Sequence, residues 1–227
     1  MSIIEKLRNK VIVSSQASLG EPFHEEVCMK AMIQSVINGG AAGLRVAGVR
    51  DVKLAKTFGV PVIGLTKPEK LPTNWKSIVY ITPTVEDAKS LSEAGADIIA
   101  FDGTERKRPD NSNLSDMIQV IHSLGRISMA DISTLEEGIK CAELGVDIIS
   151  TTLSGYTTES LKNDNKPDFK LLTNLINSLD KPIILEGRIW EVDDVKKAFD
   201  LGAHSVVIGS AITRPHLITE RFVNYNQ

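Results

Sequence analysis

Six times along this chain a helix-like stretch runs into glycine and then into a short β-branched run, at Gly39/Gly40, Gly59, Gly95, Gly125, Gly145 and Gly202. The clearest copies are Gly95-Ala-Asp-Ile-Ile-Ala-Phe-Asp102, Gly145-Val-Asp-Ile-Ile-Ser-Thr-Thr152 and Gly202-Ala-His-Ser-Val-Val-Ile-Gly209. Glycine closes a helix in the left-handed conformation, and the continuous apolar run behind it reads as a strand covered on both faces. Repetition at roughly 30 residues per unit is what a parallel β/α barrel requires. The pattern predicts an α/β fold, a (β/α)8 TIM barrel, as a single domain over residues 1–227. Such a barrel collects its strand ends at one mouth, so chemistry is to be sought there.

Strands are expected near 11–15, 43–46, 62–66, 97–102, 127–131, 147–152, 182–186 and 204–208. Ser133-Thr-Leu-Glu136 and Thr84-Val-Glu-Asp87 each set a hydroxyl three residues ahead of an acid, the signature of a capped helix start. Residues 68–82 contain prolines and a short apolar run, Ile78 to Ile81, and read as a loop with a small extra strand. Residues 153–167 are polar and read as a long loop over the mouth.

A chain of 227 residues with 42% hydrophobic and 24% charged content suits one such barrel and leaves little for a second unit. A net charge of −3 implies no one-signed surface, so nucleic acid and membrane are not expected as partners. No apolar run approaches the ~18 residues of a membrane span, and Glu5 and Lys6 interrupt any signal-peptide core. Cys28 and Cys141, far apart on predicted helices, read as buried reduced core residues, and the expected location is cytoplasmic.

Reading the carboxyl tip of each strand gives Gln16, Arg45, Lys67, Asp102, Asp131, Thr151 with Thr152, Glu186, and Gly209 with Ser210. A barrel needs polar tips merely to meet water, so the set carries more than its members. Lys67 and Glu186, on the third and seventh strands, would face each other across a pocket. The segments Glu186-Gly187-Arg188 and Gly209-Ser210-Ala211-Ile212-Thr213-Arg214 bring glycine to the last two strand ends, where backbone amides can approach an anion. That is the common phosphate position of these barrels, and it points to a phosphorylated small molecule. Gly187, Arg188, Gly209 and Ser210 are the candidate anchors, with Arg214 as a phosphate or substrate contact.

Nucleotide and dinucleotide cradles are unsupported, since neither glycine motif occurs. His24, His122, His204 and His216 are scattered and read as packing or surface groups, which leaves no expected metal or other cofactor. The chemistry then falls to Lys, Glu, Asp and Arg. Arg106-Lys107-Arg108-Pro109 reads as a solvated loop or subunit contact, and Trp75 and Trp190 as loop and packing residues.

Seven segments in order resemble the N-acetylmannosamine-6-phosphate 2-epimerase family. They are Val13-Ser-Ser-Gln-Ala17, Gly64-Leu-Thr-Lys67, Ile99-Ala-Phe-Asp-Gly-Thr104, Met129-Ala-Asp-Ile-Ser133, Thr151-Thr-Leu-Ser-Gly-Tyr-Thr157, Leu185-Glu-Gly-Arg188 and Val207-Ile-Gly-Ser-Ala-Ile-Thr-Arg-Pro215. Departures are Ser-Ser-Gln where the family often has Ser-Cys-Gln, Pro-Glu-Lys after Lys67 in place of Arg-Asp, and Trp190-Glu191 in place of Thr-Pro. They bear on loop shape and local contacts rather than on the charged strand tips.

The resemblance implies interconversion of N-acetylmannosamine 6-phosphate and N-acetylglucosamine 6-phosphate in sialic acid and amino-sugar breakdown, with a phosphorylated N-acetylhexosamine as substrate and a homodimeric assembly. Lys67 would carry the C2 proton and Glu186 would serve ring opening and O1. Arg45 and Asp131 would orient hydroxyls or stabilise charge on O1, Gln16 would hold the sugar or its acetamido group, and Thr152 would also contact the substrate. Two other readings of the residues stay open: a Schiff-base lyase or synthase using Lys67, and a non-catalytic sugar-phosphate binding barrel.

Overall fold

The computed structural model describes residues 1–161 and 165–224. Its eight strands are β1 (Lys10–Ser14), β2 (Gly43–Ala47), β3 (Val62–Leu65), β4 (Ile98–Asp102), β5 (Ile127–Asp131), β6 (Ile148–Ser150), β7 (Ile183–Glu186) and β8 (Ser205–Ile208). All pair in parallel, each with the next, and β1 pairs β8 from Lys10↔Ser205 to Val13↔Ile208, closing the barrel. A short α1 (Ile3–Leu7) lies under the floor. The connections carry α2 (Glu26–Asn38), α3 (Val49–Lys56), α4 (Val85–Glu93), α5 (Leu114–Ser123), α6 (Leu135–Glu143), α7 (Phe169–Ser178) and α8 (Val192–Asp200), and the chain ends in α9 (Ser210–Thr213) and α10 (Pro215–Val223). Among the described residues no helix is long and apolar enough to cross a membrane.

The expected helix-closing glycines all have left-handed backbones, from φ 68 at Gly125 to φ 100 at Gly202; of the first pair it is Gly40, φ 94, that turns. The acid two residues behind the glycine then ties the floor of the neighbouring strand. Asp97 Oδ2 accepts from the Val62 amide at 2.9 Å and from Lys56 Nζ at 2.6 Å. Asp147 Oδ2 accepts from the Ser128 amide and hydroxyl, both at 2.8 Å, and lies 2.9 Å from His122 Nε2. His122 is therefore a floor residue, as is His204, whose Nε2 meets Ile4 O at 2.9 Å.

Alternate residues of each strand point to opposite faces, and this separates two apolar layers. Ile12, Ile63, Leu65, Ile98, Ala100, Met129, Ile148, Ile184 and Val207 fill the barrel over Leu7. Their strand neighbours, such as Val13, Val62, Ile99, Phe101 and Ile149, pack against the helices. At roughly 25 cal/mol per Å² of apolar surface removed from water, these layers dominate the folding energy.

Several expectations change. The sixth strand ends at Ser150, and Thr151–Leu153 form a 3-10 turn instead of prolonging it. The cap of α6 is Thr134, paired with Glu137, one residue on from the expected Ser133–Glu136; Ser133 instead bonds the Glu137 carboxylate through its amide and hydroxyl at 2.7 and 2.8 Å. Thr84 with Asp87 caps α4 as read.

No strand forms over Ile78–Ile81. That segment wedges between the tops of β3 and β4, whose direct register covers only Ile63↔Ile98 and Gly64↔Ile99. Thr82 N donates to Thr66 O at 3.0 Å, and Asp102 N donates to Ile81 O at 3.0 Å. The basic loop is not solvated throughout. Arg108 is buried and donates to the carbonyls of Thr82, Pro83 and Asp102, and Arg106 pairs with Asp102 at 2.7 Å. Carbonyls freed where the wedge interrupts the sheet explain why a guanidinium is needed there. Cys141 is buried as expected, whereas Cys28 is only partly so. Of the expected loop 153–167, residues 162–164 lie outside the described residues.

Candidate active site

The alternation that fills the barrel also decides what reaches its mouth. On β5 the inward parity of Met129 continues to Asp131, and on β7 that of Ile184 continues to Glu186. On β3, Ile63 and Leu65 lead to Lys67 two residues later, past the strand end. Arg45 shares the parity of Gly43, where an added Cβ would lie 2.9 Å from Leu7 in the floor; glycine there lets the strand sit close over that leucine.

Arg45 is completely buried and grips Asp131 with two prongs, Nη2 to Oδ2 at 2.6 Å and Nη1 to Oδ1 at 3.1 Å. Its Nη1 also lies 3.2 Å from Glu186 Oε2. The two carboxylates keep this guanidinium charged, its pKa raised despite burial. Thr152 bridges the acids: its hydroxyl oxygen is 2.7 Å from Asp131 Oδ1, 3.0 Å from Glu186 Oε2 and 2.8 Å from Ser150 Oγ. A hydroxyl has one proton, so Thr152 can donate to only one carboxylate at a time. Glu186 Oε1 has no hydrogen-bond partner among the described residues. Burial raises the Glu186 carboxyl to about 7, with Asp131 adding to the rise and Arg45 opposing it.

Lys67 Nζ donates to Gln16 Oε1 at 3.0 Å, and Gln16 Nε2 donates to Ser14 Oγ at 2.8 Å, which fixes the amide with its oxygen toward the lysine. Lys67 is an exposed residue at the mouth, yet surrounding protein groups desolvate its ammonium. Desolvation there, reinforced by the Arg45 charge, lowers it to about 8; Glu186 and Asp131 oppose the fall without reversing it. The site thus holds an amine that can be neutral and a carboxyl that can be protonated within about a unit of neutral pH. Groups tuned this way suit general acid–base chemistry.

Both groups line a cavity of about 580 Å³, within the usual range for a small-molecule site. Gln16 and Thr152 line it as well, and so do Gly187, Gly209 and Ser210 at the ends of β7 and β8. Gly187 takes φ 109, a conformation that favours glycine. After Gly209 the chain enters α9, where the Ile212 and Thr213 amides turn back to Gly209 O at 2.8 and 2.9 Å. The Ser210 and Ala211 amides have no backbone partner among the described residues, which leaves donors at the end of β8.

Two arginines border this region. Arg214 lines the cavity with its Nη1 3.2 Å from Glu21 Oε1. Arg188 lines it too, with two of its donors engaged by backbone, Nε with Lys166 O at 2.8 Å and Nη1 with Ser154 O at 2.6 Å, and its guanidinium 5.5 Å over the Tyr156 ring. Arg188 therefore clamps the loop after β6 onto the loop after β7.

The structure brings Lys67, Glu186, Gln16 and Thr152 together at one cavity, as the sequence suggests. Arg45 and Asp131 adjoin them, fully buried against Glu186 and Thr152. Asp102, though a strand tip, is taken up by Thr104 and Arg106 and does not line the cavity. Several lining residues escape a strand-tip reading, among them Trp75, Tyr80 and Tyr156. Trp190, read as packing, lines it also. Burial raises the Tyr80 hydroxyl pKa, so it stays protonated.

Comparison with known proteins bears on this site directly. The family model described as "Putative N-acetylmannosamine-6-phosphate epimerase" matches residues 29–227. A relative from Clostridium perfringens described as a 2-epimerase of that name is 44% identical over 224 residues, 98% of this chain and 99% of that protein. One from Clostridioides difficile, with the same description, is 45% identical over 225 residues, 97% of each chain. The solved structure of the N-acetylmannosamine-6-phosphate 2-epimerase from Clostridium perfringens superposes with a TM-score of 0.93 at 43% identity, covering 99% of this chain and 96% of that one. A 3-hexulose-6-phosphate synthase from Salmonella typhimurium, at 17% identity and a TM-score of 0.63 over 90% of each chain, shares the fold alone.

Proposed function

The chain belongs to the N-acetylmannosamine-6-phosphate epimerase family, and from that premise we propose how its mouth inverts C2 of an N-acylhexosamine 6-phosphate. The reaction interconverts N-acetylmannosamine 6-phosphate and N-acetylglucosamine 6-phosphate, in sialic acid and amino-sugar breakdown, which corresponds to an N-acylglucosamine-6-phosphate 2-epimerase. The observation that supports this reading is a lysine lowered to about 8 and a carboxyl raised to about 7 lining one cavity with the β7–β8 glycine turns.

The phosphate binds at Gly187, Gly209 and Ser210, with Arg214 adding charge, and its binding energy holds the sugar in register. Opening of the ring exposes the C1 carbonyl. Neutral Lys67 takes the C2 proton; the C–H electron pair forms the C1–C2 double bond, and charge moves onto O1. Glu186, protonated on Oε1, delivers its proton to O1. The enediol then turns within the site so that its other face meets the Lys67 ammonium, which gives a proton to C2 as O1 returns its proton to Glu186; both groups are restored and C2 is inverted. Arg45 and Asp131 hold Glu186, and Gln16 positions the Lys67 amine.

With pKa values about one unit apart, neutral Lys67 beside protonated Glu186 is about one-tenth as populated as the charged pair. That fraction costs the rate only tenfold, less than the ~10²–10⁴ that a positioned acid or base contributes. The test is an NMR assay of N-acetylmannosamine 6-phosphate in D2O. Deuterium at C2 of both epimers supports the proposal; epimers formed with C2 protium retained would refute solvent-exchanging proton transfer, and no epimer at all would refute the activity.

A homodimer is also part of the proposal, supported by the exposure of Val27, Phe222 and Val223. Sedimentation at a monomer mass across micromolar concentrations would exclude it.

A further inference from the structure

We propose that Trp75, Tyr80 and Tyr156 form the subsite for the N-acyl group, and that this subsite admits acyl chains longer than acetyl. The inference rests on the substrate class argued above and extends it.

Position is the first argument. In a closed ring of eight strands, β3 and β4 lie across the mouth from β7 and β8. In a 2-acylamino hexose 6-phosphate, the phosphate and the acylated nitrogen sit toward opposite ends of the carbon chain. With phosphate at the β7–β8 turns and C2 beside Lys67, the nitrogen substituent continues toward the segment that follows β3. That segment supplies Trp75 and Tyr80; Tyr156, from the loop after β6, meets Trp75 from the β7 side, 4.0 Å from where a Cβ on Gly187 would lie.

Chemistry is the second. The three rings form one connected wall: Trp75 meets Tyr80 edge to face at 5.7 Å and 89°, and Tyr156 at 6.3 Å and 41°. Beside them Leu71 is 44% exposed and Tyr156 36% exposed, so apolar surface faces the open cavity. The phosphate and hydroxyls of the sugar cannot use such a surface. The acyl carbon chain is the part of the substrate that can.

Room is the third. A second cavity, of about 370 Å³, adjoins the first and shares Lys67 and Tyr80 with it. Pro68, Pro72, Ile78 and Val79 line it, so a chain passing the Tyr80 ring meets further apolar surface.

The experiment compares N-acetyl-, N-propanoyl- and N-butanoylmannosamine 6-phosphate as substrates for the wild-type chain, Trp75→Ala and Trp75→Phe, with melting temperature as the folding control. In the wild type, kcat/KM for the longer chains is expected to equal or exceed that for acetyl, rising up to about fourfold per methylene where it is fully buried. Trp75→Ala should raise KM about tenfold with little change in kcat and flatten the series; Trp75→Phe should restore most of the gradient. Wild-type rejection of the butanoyl substrate by more than a hundredfold would overturn the proposal. So would an acyl series unchanged by Trp75→Ala. Either result, obtained with normal acetyl turnover, leaves the epimerase reading standing; absence of acetyl turnover would remove both.

Discussion

Replacing Glu186 by Gln should abolish turnover and make the protein more stable at alkaline pH. The carboxyl is raised from its ordinary 4.5 to about 7, chiefly by burial, so the fold disfavours its charged form. A group with a raised pKa contributes stability that is present below the ordinary value and is lost as pH rises through the folded one. The shift corresponds to about 3 kcal/mol, withdrawn in full only well above pH 7. Gln can imitate the protonated acid: its carbonyl takes the place of Oε2 beside Arg45 and Thr152, and its amide replaces Oε1. Because the 3.2 Å contact with Arg45 weakens once the charge is gone, the expected gain is about 1–3 kcal/mol at pH 8.5. At pH 5.5 the folded carboxyl is protonated but the unfolded one is mostly ionised, so about 1 kcal/mol of the shift already acts and a smaller gain remains; it vanishes only below the ordinary 4.5. With unfolding entropy near 2.1 cal/mol/K per residue, a chain of 227 residues changes by about 0.5 kcal/mol per degree. The expected increase in melting temperature is then about 2–6 °C at pH 8.5 and less than half of that at pH 5.5, read by calorimetry in both buffers. A variant less stable than the wild type at both pH values would refute the claim that the pocket opposes the charge of Glu186.

Three further outcomes are expected. Lys67→Ala should lower C2 proton exchange in D2O by ~10²–10⁴, and Lys67→Arg should do no better because its guanidinium stays protonated; NMR exchange rates decide this. Thr152→Val keeps the shape but leaves the two carboxylates without their shared donor, so kcat should fall about tenfold and the pH optimum should move, while Thr152→Ser restores both; initial rates from pH 6 to 9 give the test. Arg214→Ala should raise KM about tenfold with kcat nearly unchanged and make KM less sensitive to added salt, since it removes a charge that binds substrate and reacting species alike.

The same alternation of side chains made one part of the molecule legible and hid another. The barrel could be read because Gly-x-Asp-Ile-Ile recurs, with glycine turning the chain, the acid pinning the next strand at its floor and the aliphatics packing to both sides. Lys67 and Glu186 could be read for the same reason: counted along their strands, they fall in register with the inward residues that fill the barrel. Counting cannot distinguish depth. Arg45 and Asp131 share that inward parity yet lie buried rather than lining the pocket, because two charges that satisfy each other can be buried where a lone one could not. Asp102 shares it too but is captured by Arg106 from the very loop expected to be solvated, a pairing that only the wedge at Ile78–Thr82 makes possible. The aromatic wall belongs to that wedge and to the loop after β6, where no strand period applies and tertiary contacts alone decide which side chains face inward. What the sequence could not rank was therefore the tuning of the proton-handling groups. Lys67 is lowered chiefly by desolvation, with the buried Arg45 cation adding to the fall against two opposing carboxylates, and Glu186 is raised because burial outweighs that same cation. One guanidinium thus acts on both ends of the proposed proton transfer with opposite consequences: it favours the neutral amine needed as a base, and it resists the protonated carboxyl needed as an acid.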